Sequence, residues 1–164
     1  MKKNTLKTIA LASITLLVIS FKPKKEDAPV MDKNQIKAEI QELETSYADV
    51  FNIKKNSTMN YYADDAISYS QNEPPLVGKL AINKDIQEHV DSTPIGSTVS
   101  FITNEVFPSS DGEQVVEIGS YRVRDSTDVI TRSGNYMSLF VKRDGKYLCI
   151  RDMGASDMPK TVKK

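Results

Sequence analysis

Residues 97–153 read STVSFITNEVFPSSDGEQVVEIGSYRVRDSTDVITRSGNYMSLFVKRDGKYLCIRDM. Four segments inside this stretch, Ser97–Val106, Gln114–Arg124, Val129–Val141 and Lys146–Met153, are rich in Val, Ile, Thr, Tyr and Phe, the residues that suit a pleated surface. Turn chemistry separates them at Pro108–Gly112, Asp125–Asp128 and Arg143–Lys146. The Asp144-Gly145 step is the strongest of these signals, because a two-residue primed turn needs positive φ at both centres. The stretch therefore predicts a run of strands joined as hairpins.

Working back towards the N-terminus, the texture changes to helix. Asp32 followed three residues later by Gln35 has the form of a capping box. Ile36, Ile40, Leu43, Tyr47, Val50 and Phe51 then recur at three- and four-residue steps, which predicts one apolar face on a helix over 33–53. A second, shorter helix is expected from Asn56 or Ser57 through Met59 and Tyr62, ending near Ala63-Asp64-Asp65. Ala66–Gln71 alternates as a short strand, and Asn72-Glu73-Pro74-Pro75 breaks it. Gly78–Val90 returns to helical spacing, with Ile82, Ile86, His89 and Val90 on one stripe. Helices first and hairpins afterwards make an α+β fold. The expected arrangement is one strongly curved antiparallel sheet, cone-shaped, packed on three N-terminal helices.

The chain has 164 residues and 18.3 kDa, with 22 Lys+Arg against 22 Asp+Glu, one Cys, one His and no Trp. That length carries one domain, and a zero formal charge lacks the basic excess of a general nucleic-acid binder. One Cys excludes an intramolecular disulfide, and one His argues against the usual zinc sites, so neither metal nor cofactor is expected. Lys2-Lys3 and Lys7 precede an apolar run from Thr8 to Phe21, the pattern of a secretory signal peptide over residues 1–21. A linker over 22–31, a domain over 32–158 and a tail over 159–164 complete the expected organisation. The exported product would be periplasmic or extracellular, with an uncleaved N-terminal anchor as the alternative. Cys149 lies too far along to make a lipoprotein. Removing Lys2, Lys3 and Lys7 leaves 19 basic and 22 acidic residues, a net charge of about −3.

Particular residues carry a resemblance to a known superfamily. Tyr47-Ala48-Asp49-Val50, then Tyr61-Tyr62-Ala63-Asp64-Asp65-Ala66, then Gly78-Lys79, resemble the first half of the nuclear transport factor 2-like superfamily. Gly119-Ser120-Tyr121, Ser133-Gly134-Asn135-Tyr136 and Arg143-Asp144-Gly145-Lys146-Tyr147, running into Arg151-Asp152-Met153, are similar to its SnoaL-like and uncharacterised bacterial branches. The resemblance spans about 33–158. It implies a cone of bent sheet and three helices around a pocket, often dimeric through the sheet, in ketosteroid isomerase, dehydratases, polyketide cyclases and domains that only bind.

Fold alone does not choose among these. The isomerase chemistry needs a carboxylate base and an oxyanion hole of a tyrosine and a protonated aspartate. The resemblance puts that tyrosine on Tyr47, but the base falls on Ser70 and the third group around Met137 or Ser138, so two of three groups are missing. Two tryptophans common in the uncharacterised branch are Tyr47 and Gly154 here, which implies a wider pocket unless it is refilled.

His89, on the apolar stripe of its helix, and Asp152, on the last strand, are the candidates for acid–base work; each has a structural alternative as a core or strand-end group. Leu148, Ile150 and Asp152 are expected to share one face, close to Tyr136, Ser138 and Phe140 across the hairpin. Tyr47, Tyr69, Tyr136 and Ser138 are the candidate ligand contacts. Glu117 is expected to be a solvated sheet residue, Asp64-Asp65 a solvated pair rather than a metal site, and Cys149 a small core residue. The leading expectation is a homodimer that binds a small apolar or aromatic ligand in the cone. A cofactor-free SnoaL-like isomerase, cyclase or dehydratase is the second, and a dimeric interaction domain without a ligand the third.

Overall fold

The computed structural model describes residues 32–53 and 60–159. The signal, the linker, most of the tail and the Asn56–Ser57 helix start lie outside those residues. Among the described residues two helices and six strands follow in the order α1 (Lys33–Asn52), β1 (Tyr62–Tyr69), β2 (Leu76–Val77), α2 (Lys79–Ser92), β3 (Thr98–Pro108), β4 (Gln114–Arg124), β5 (Ile130–Arg143) and β6 (Lys146–Ser156). The strands form one curved sheet in the order β2-β1-β6-β5-β4-β3.

Local signals account for most of these boundaries. The Asp32 carboxylate accepts hydrogen bonds from the backbone N–H groups of Asn34 (2.9 Å) and Gln35 (3.3 Å), two of the donors a helix start leaves without partners. Asp144 and Gly145 take φ values of 51° and 75°, the primed geometry that joins β5 to β6 with the right twist. The β3–β4–β5–β6 meander is antiparallel throughout.

Two expectations are corrected. Tyr62–Asp65 do not close a helix; they open β1. Tyr61, Tyr62, Ala63 and Ala66 are all buried; the Tyr47 ring packs on both tyrosines, and Tyr62 pairs with Cys149 of β6, which holds the segment extended. The sheet is not wholly antiparallel either, because β1 runs parallel to β6 with Ile67, Ser68 and Tyr69 opposite Arg151, Asp152 and Met153. The long connection through α2 and the meander permits that parallel return.

A bulge in β6 rearranges its faces. Phe140 pairs with Cys149 but Leu139 pairs with Arg151, so Ile150 is one residue in excess. The inward side chains are therefore Tyr147, Cys149 and Asp152, not Leu148, Ile150 and Asp152. Cys149 is fully buried and free, as its strand position predicts.

Helix α1 lies along β3, the edge strand, and its side chains complete that edge. Gln41 accepts from Thr103 N–H (2.9 Å) and donates to Phe101 C=O (3.1 Å). Asn52 accepts from Val99 N–H (2.7 Å) and donates to Val99 C=O (2.9 Å). Lys37 donates to Asn104 C=O (2.7 Å). Two amides thus stand in for the missing neighbour strand and block edge-to-edge association. Beneath them Ile40, Ile82, Val106, Val115, Phe140 and Cys149 form the core. Tyr147 is buried with them and donates its hydroxyl to Gly112 C=O (2.6 Å).

Candidate functional site

Above this core a cavity of about 400 Å³ opens between α1, α2 and the inner face of the sheet. Its shape depends on two reciprocal pairs on β4 and β5. Gly119 stands opposite Tyr136, and Tyr121 opposite Gly134. A Cβ at Gly119 would lie 2.1 Å from Tyr136 Cζ; one at Gly134 would lie 2.6 Å from Tyr121 Cε1. Each tyrosine ring lies across the opposite strand's glycine, which fixes both rings at the cavity wall. Phe101 packs edge-on to Tyr136 with ring centroids 5.7 Å apart, and Tyr47 lies 5.0 Å from Phe101 and stacks on Tyr61 at 4.8 Å.

Two glutamates meet at the inner end. Glu44 of α1 is 1 % exposed and Glu117 of β4 is 0 % exposed. The expectation of a solvated Glu117 is overturned: alternation along β4 puts Val115, Glu117 and Gly119 on its buried face. Thr103 and Tyr136 donate their hydroxyls to Glu117 Oε1 at 2.6 and 3.1 Å, and Tyr61 donates to Glu44 Oε1. Glu117 Oε2 is buried with no donor. Burial first, and the neighbouring Glu117 carboxylate second, push Glu44 up to about 9 against the pull of Tyr61. Burial also raises Glu117, while the hydrogen bonds from Thr103, Glu44 and Tyr136 oppose it. One proton held between two close carboxyls relieves their repulsion and supplies the donor that Glu117 lacks.

Asp152 forms the second polar group. It sits opposite Ser138 on β5 and Ser68 on β1, and Tyr62 donates its hydroxyl to Oδ2 at 2.8 Å. The Tyr47 hydroxyl interacts with that of Tyr62, so α1 reaches Asp152 through two phenols. Burial raises Asp152; Ser68 and Tyr62 favour its charged form. Its Oδ1 is buried and makes no hydrogen bond of normal geometry.

All the residues proposed from sequence line this one cavity. Tyr47, Tyr136, Ser138 and Asp152 lie on its walls, and Tyr69, 40 % exposed, lies nearer the solvent. The His89 side chain is half exposed, with Nδ1 2.9 Å from Asp85 C=O and 3.3 Å from Asp85 Oδ2. Ser70, at the isomerase base position, also lines the cavity, and a hydroxyl there does not replace a carboxylate. A Cβ at Gly154 would meet nothing within 4 Å, so the space that a larger residue would fill there is open. Sequence reasoning missed Glu44, although Ile36, Ile40, Glu44 and Ala48 follow strict four-residue steps and all four are buried.

No protein-family model matches the sequence, and no curated protein is similar to it. The likeness is structural. A domain of unknown function with a cystatin-like fold from Nostoc punctiforme aligns with a TM-score of 0.66 and 12% identity, covering 78% of this chain and 81% of that one. A nuclear transport factor 2-like protein with a cystatin-like fold from Novosphingobium aromaticivorans aligns at 0.60 and 14% identity, covering 78% and 86%. A ketosteroid isomerase-like protein from Erwinia carotovora atroseptica aligns at 0.56 and 19% identity, covering 77% and 99%. The fold is therefore nuclear transport factor 2-like, with a cystatin-like sheet; at these identities the likeness extends to the fold alone.

Proposed function

We propose, proceeding from a nuclear transport factor 2-like fold, that this chain is an exported binding protein whose cone-shaped pocket takes a small apolar or aromatic molecule. One observation carries the reading: a cavity of about 400 Å³ lined by aromatic rings, with a few convergent polar groups. That size and lining match small-molecule sites and leave room that an interaction domain would fill with its own side chains. Tyr47, Tyr136 and Ser138 orient the occupant, and Tyr69 closes on it from the solvent side. A panel of small aromatic compounds tested by calorimetry and thermal shift should raise the melting temperature. Absence of both heat and shift across the panel refutes it.

The partner in this reading is a second copy of the chain. Ile118 of β4 and Met137 of β5 stand opposite each other on the sheet face away from the buried Glu117 and Ser138, and Met137 is 44 % exposed. Burial of that pair would join two sheets face to face, and Met137→Asp should shift a dimer to monomer in sedimentation. A wild-type monomer at high micromolar concentration removes this part of the proposal.

A second reading has its own observation. Asp152 and His89 line the same cavity, as a cofactor-free proton-transfer enzyme of the SnoaL-like kind requires. Asp152 would take a carbon-bound proton and the Tyr47–Tyr62 pair would stabilise the oxyanion. Deuterium exchange into carbonyl compounds above the buffer rate, lost in Asp152→Asn, supports it; no exchange in the wild type eliminates it.

A further inference from the structure

Resting on the reading of the cavity as a ligand site, we propose that its ligand carries a protonated amine on an aromatic or alkyl body, with the ammonium seated between Asp152 and Glu44, which line the cavity, and with the fully buried Glu117 behind Glu44. Three features of the cavity converge on that class. The first is the sign of the inner groups. Glu44, Glu117 and Asp152 are all acidic and influence one another, and no basic side chain pairs with any of them among the described residues. The basic groups that line the cavity, Arg132 and His89, are exposed or half exposed. A carboxylate ligand would meet like charge at the inner end, and a neutral one would leave the inner acceptors short of donors.

The second feature is those acceptors. Asp152 Oδ1 is a buried oxygen without a hydrogen-bond partner of normal geometry, and Glu117 Oε2 has only the proton of Glu44 to turn to, while the hydroxyls of Tyr62, Thr103, Tyr136 and Tyr61 are already engaged on Asp152 Oδ2, Glu117 Oε1 and Glu44. A buried acceptor left alone is costly, and an ammonium brings up to three donors in a single small group. The third feature is the wall. Tyr47, Tyr61, Phe101 and Tyr136 stand around the same region with ring centroids 4.8 to 5.7 Å apart. Ring faces carry negative quadrupole potential, which attracts a cation and repels an anion.

Arrival of the cation also resolves the tension inside the acidic group. Without it, burial first and the neighbouring Glu117 second hold the proton on Glu44. A positive charge placed among the three carboxyls favours their ionised forms.

Calorimetry of the purified protein at pH 7 with three probes of one shape tests this: phenethylamine, 2-phenylethanol and 3-phenylpropionate. The expected order is amine at least tenfold tighter than alcohol, with the carboxylate weakest. Asp152→Asn should cost the amine tenfold or more and cost the alcohol less, and a circular dichroism spectrum and melting curve like those of the wild type confirm that the variant is folded. Glu44→Gln, which keeps the buried shape, should reduce the amine preference in the same direction. Alcohol or carboxylate binding as tightly as the amine overturns the amine assignment and leaves the pocket reading standing, as does an amine preference unchanged in both variants. No binding by any of the three overturns the amine assignment together with the pocket reading.

Discussion

Replacing Glu44 with glutamine should stabilise the protein, and by more as the pH rises. Glu44 is 1 % exposed, and burial with the adjacent Glu117 carboxylate pushes its acid up from 4.5 to about 9. Between those two values the folded chain holds a proton that the unfolded chain has released. Stability from this group is therefore complete below pH 4.5 and is lost as pH rises towards about 9, at about 1.4 kcal/mol per pH unit. By pH 7 the loss from Glu44 alone is roughly 3 kcal/mol. Glu117 and Asp152, also raised by burial, add to it with the same sign. Asp65, Asp111 and Asp125 are lowered by hydrogen bonds, so their contribution has the opposite sign and fades at acid pH. Maximum stability should accordingly lie near pH 4–5, below the range usual for globular proteins. Glutamine keeps the volume, an acceptor for Tyr61 and a donor towards Glu117, without the charge. A gain of about 1–3 kcal/mol at pH 8 is expected after small hydrogen-bond differences. Urea unfolding from pH 4.5 to 9 reads both quantities. A wild-type stability that is flat or rising between pH 5 and 8, or a Glu44→Gln variant less stable than wild type at pH 8, would refute the reasoning.

Gly119→Ala places a methyl group 2.1 Å from Tyr136 Cζ, so the ring must leave and its bond to Glu117 breaks; a loss of about 2–4 kcal/mol is expected in urea unfolding. Adding Tyr136→Ala should recover part of that loss, and strictly additive single effects would contradict the contact. Gly154→Ala, with nothing within 4 Å, should stay within about 0.5 kcal/mol of wild type by the same assay. Asn52→Ala removes both bonds to Val99 and should cost about 2–3 kcal/mol, with faster hydrogen exchange at the Val99 amide. Unchanged exchange there would mean the amide does not hold the edge strand.

Much of the fold is legible because it is written locally. Alternation fixes β4 at Gln114–Arg124, Asp144-Gly145 fixes the last hairpin, and the four-residue steps of α1 survive intact. What failed was the part set at long range. The spacing through Met59 and Tyr62 suits a short helix, yet Tyr62 opens β1 and pairs with Cys149 of β6, a partner distant in sequence. Local spacing has no means of announcing a parallel partner that arrives some ninety residues later.

The site divides along the same line. Tyr47, Tyr69, Tyr136, Ser138, His89 and Asp152 could each be placed near the cavity from element ends and strand faces, and all six line it. Asp152, however, shares the inward face with Tyr147 and Cys149 only through the bulge at Ile150; in an unbulged strand with those two inward, it would turn outward with Leu148 and Ile150. Glu117 needed the register of three strands before its burial could be seen. Glu44 needed less, since a carboxylate at the centre of an unbroken apolar stripe is already a local contradiction. Such a contradiction is informative because burying an acid costs energy that an apolar residue would not. The same consideration ties the two halves of the cavity together. The rings of Tyr61 and Tyr136 pack its wall while their hydroxyls satisfy Glu44 and Glu117, so the aromatic lining and the acidic end are a single construction. Any occupant must therefore satisfy both at once, with an apolar body for the rings and a donor for the acids.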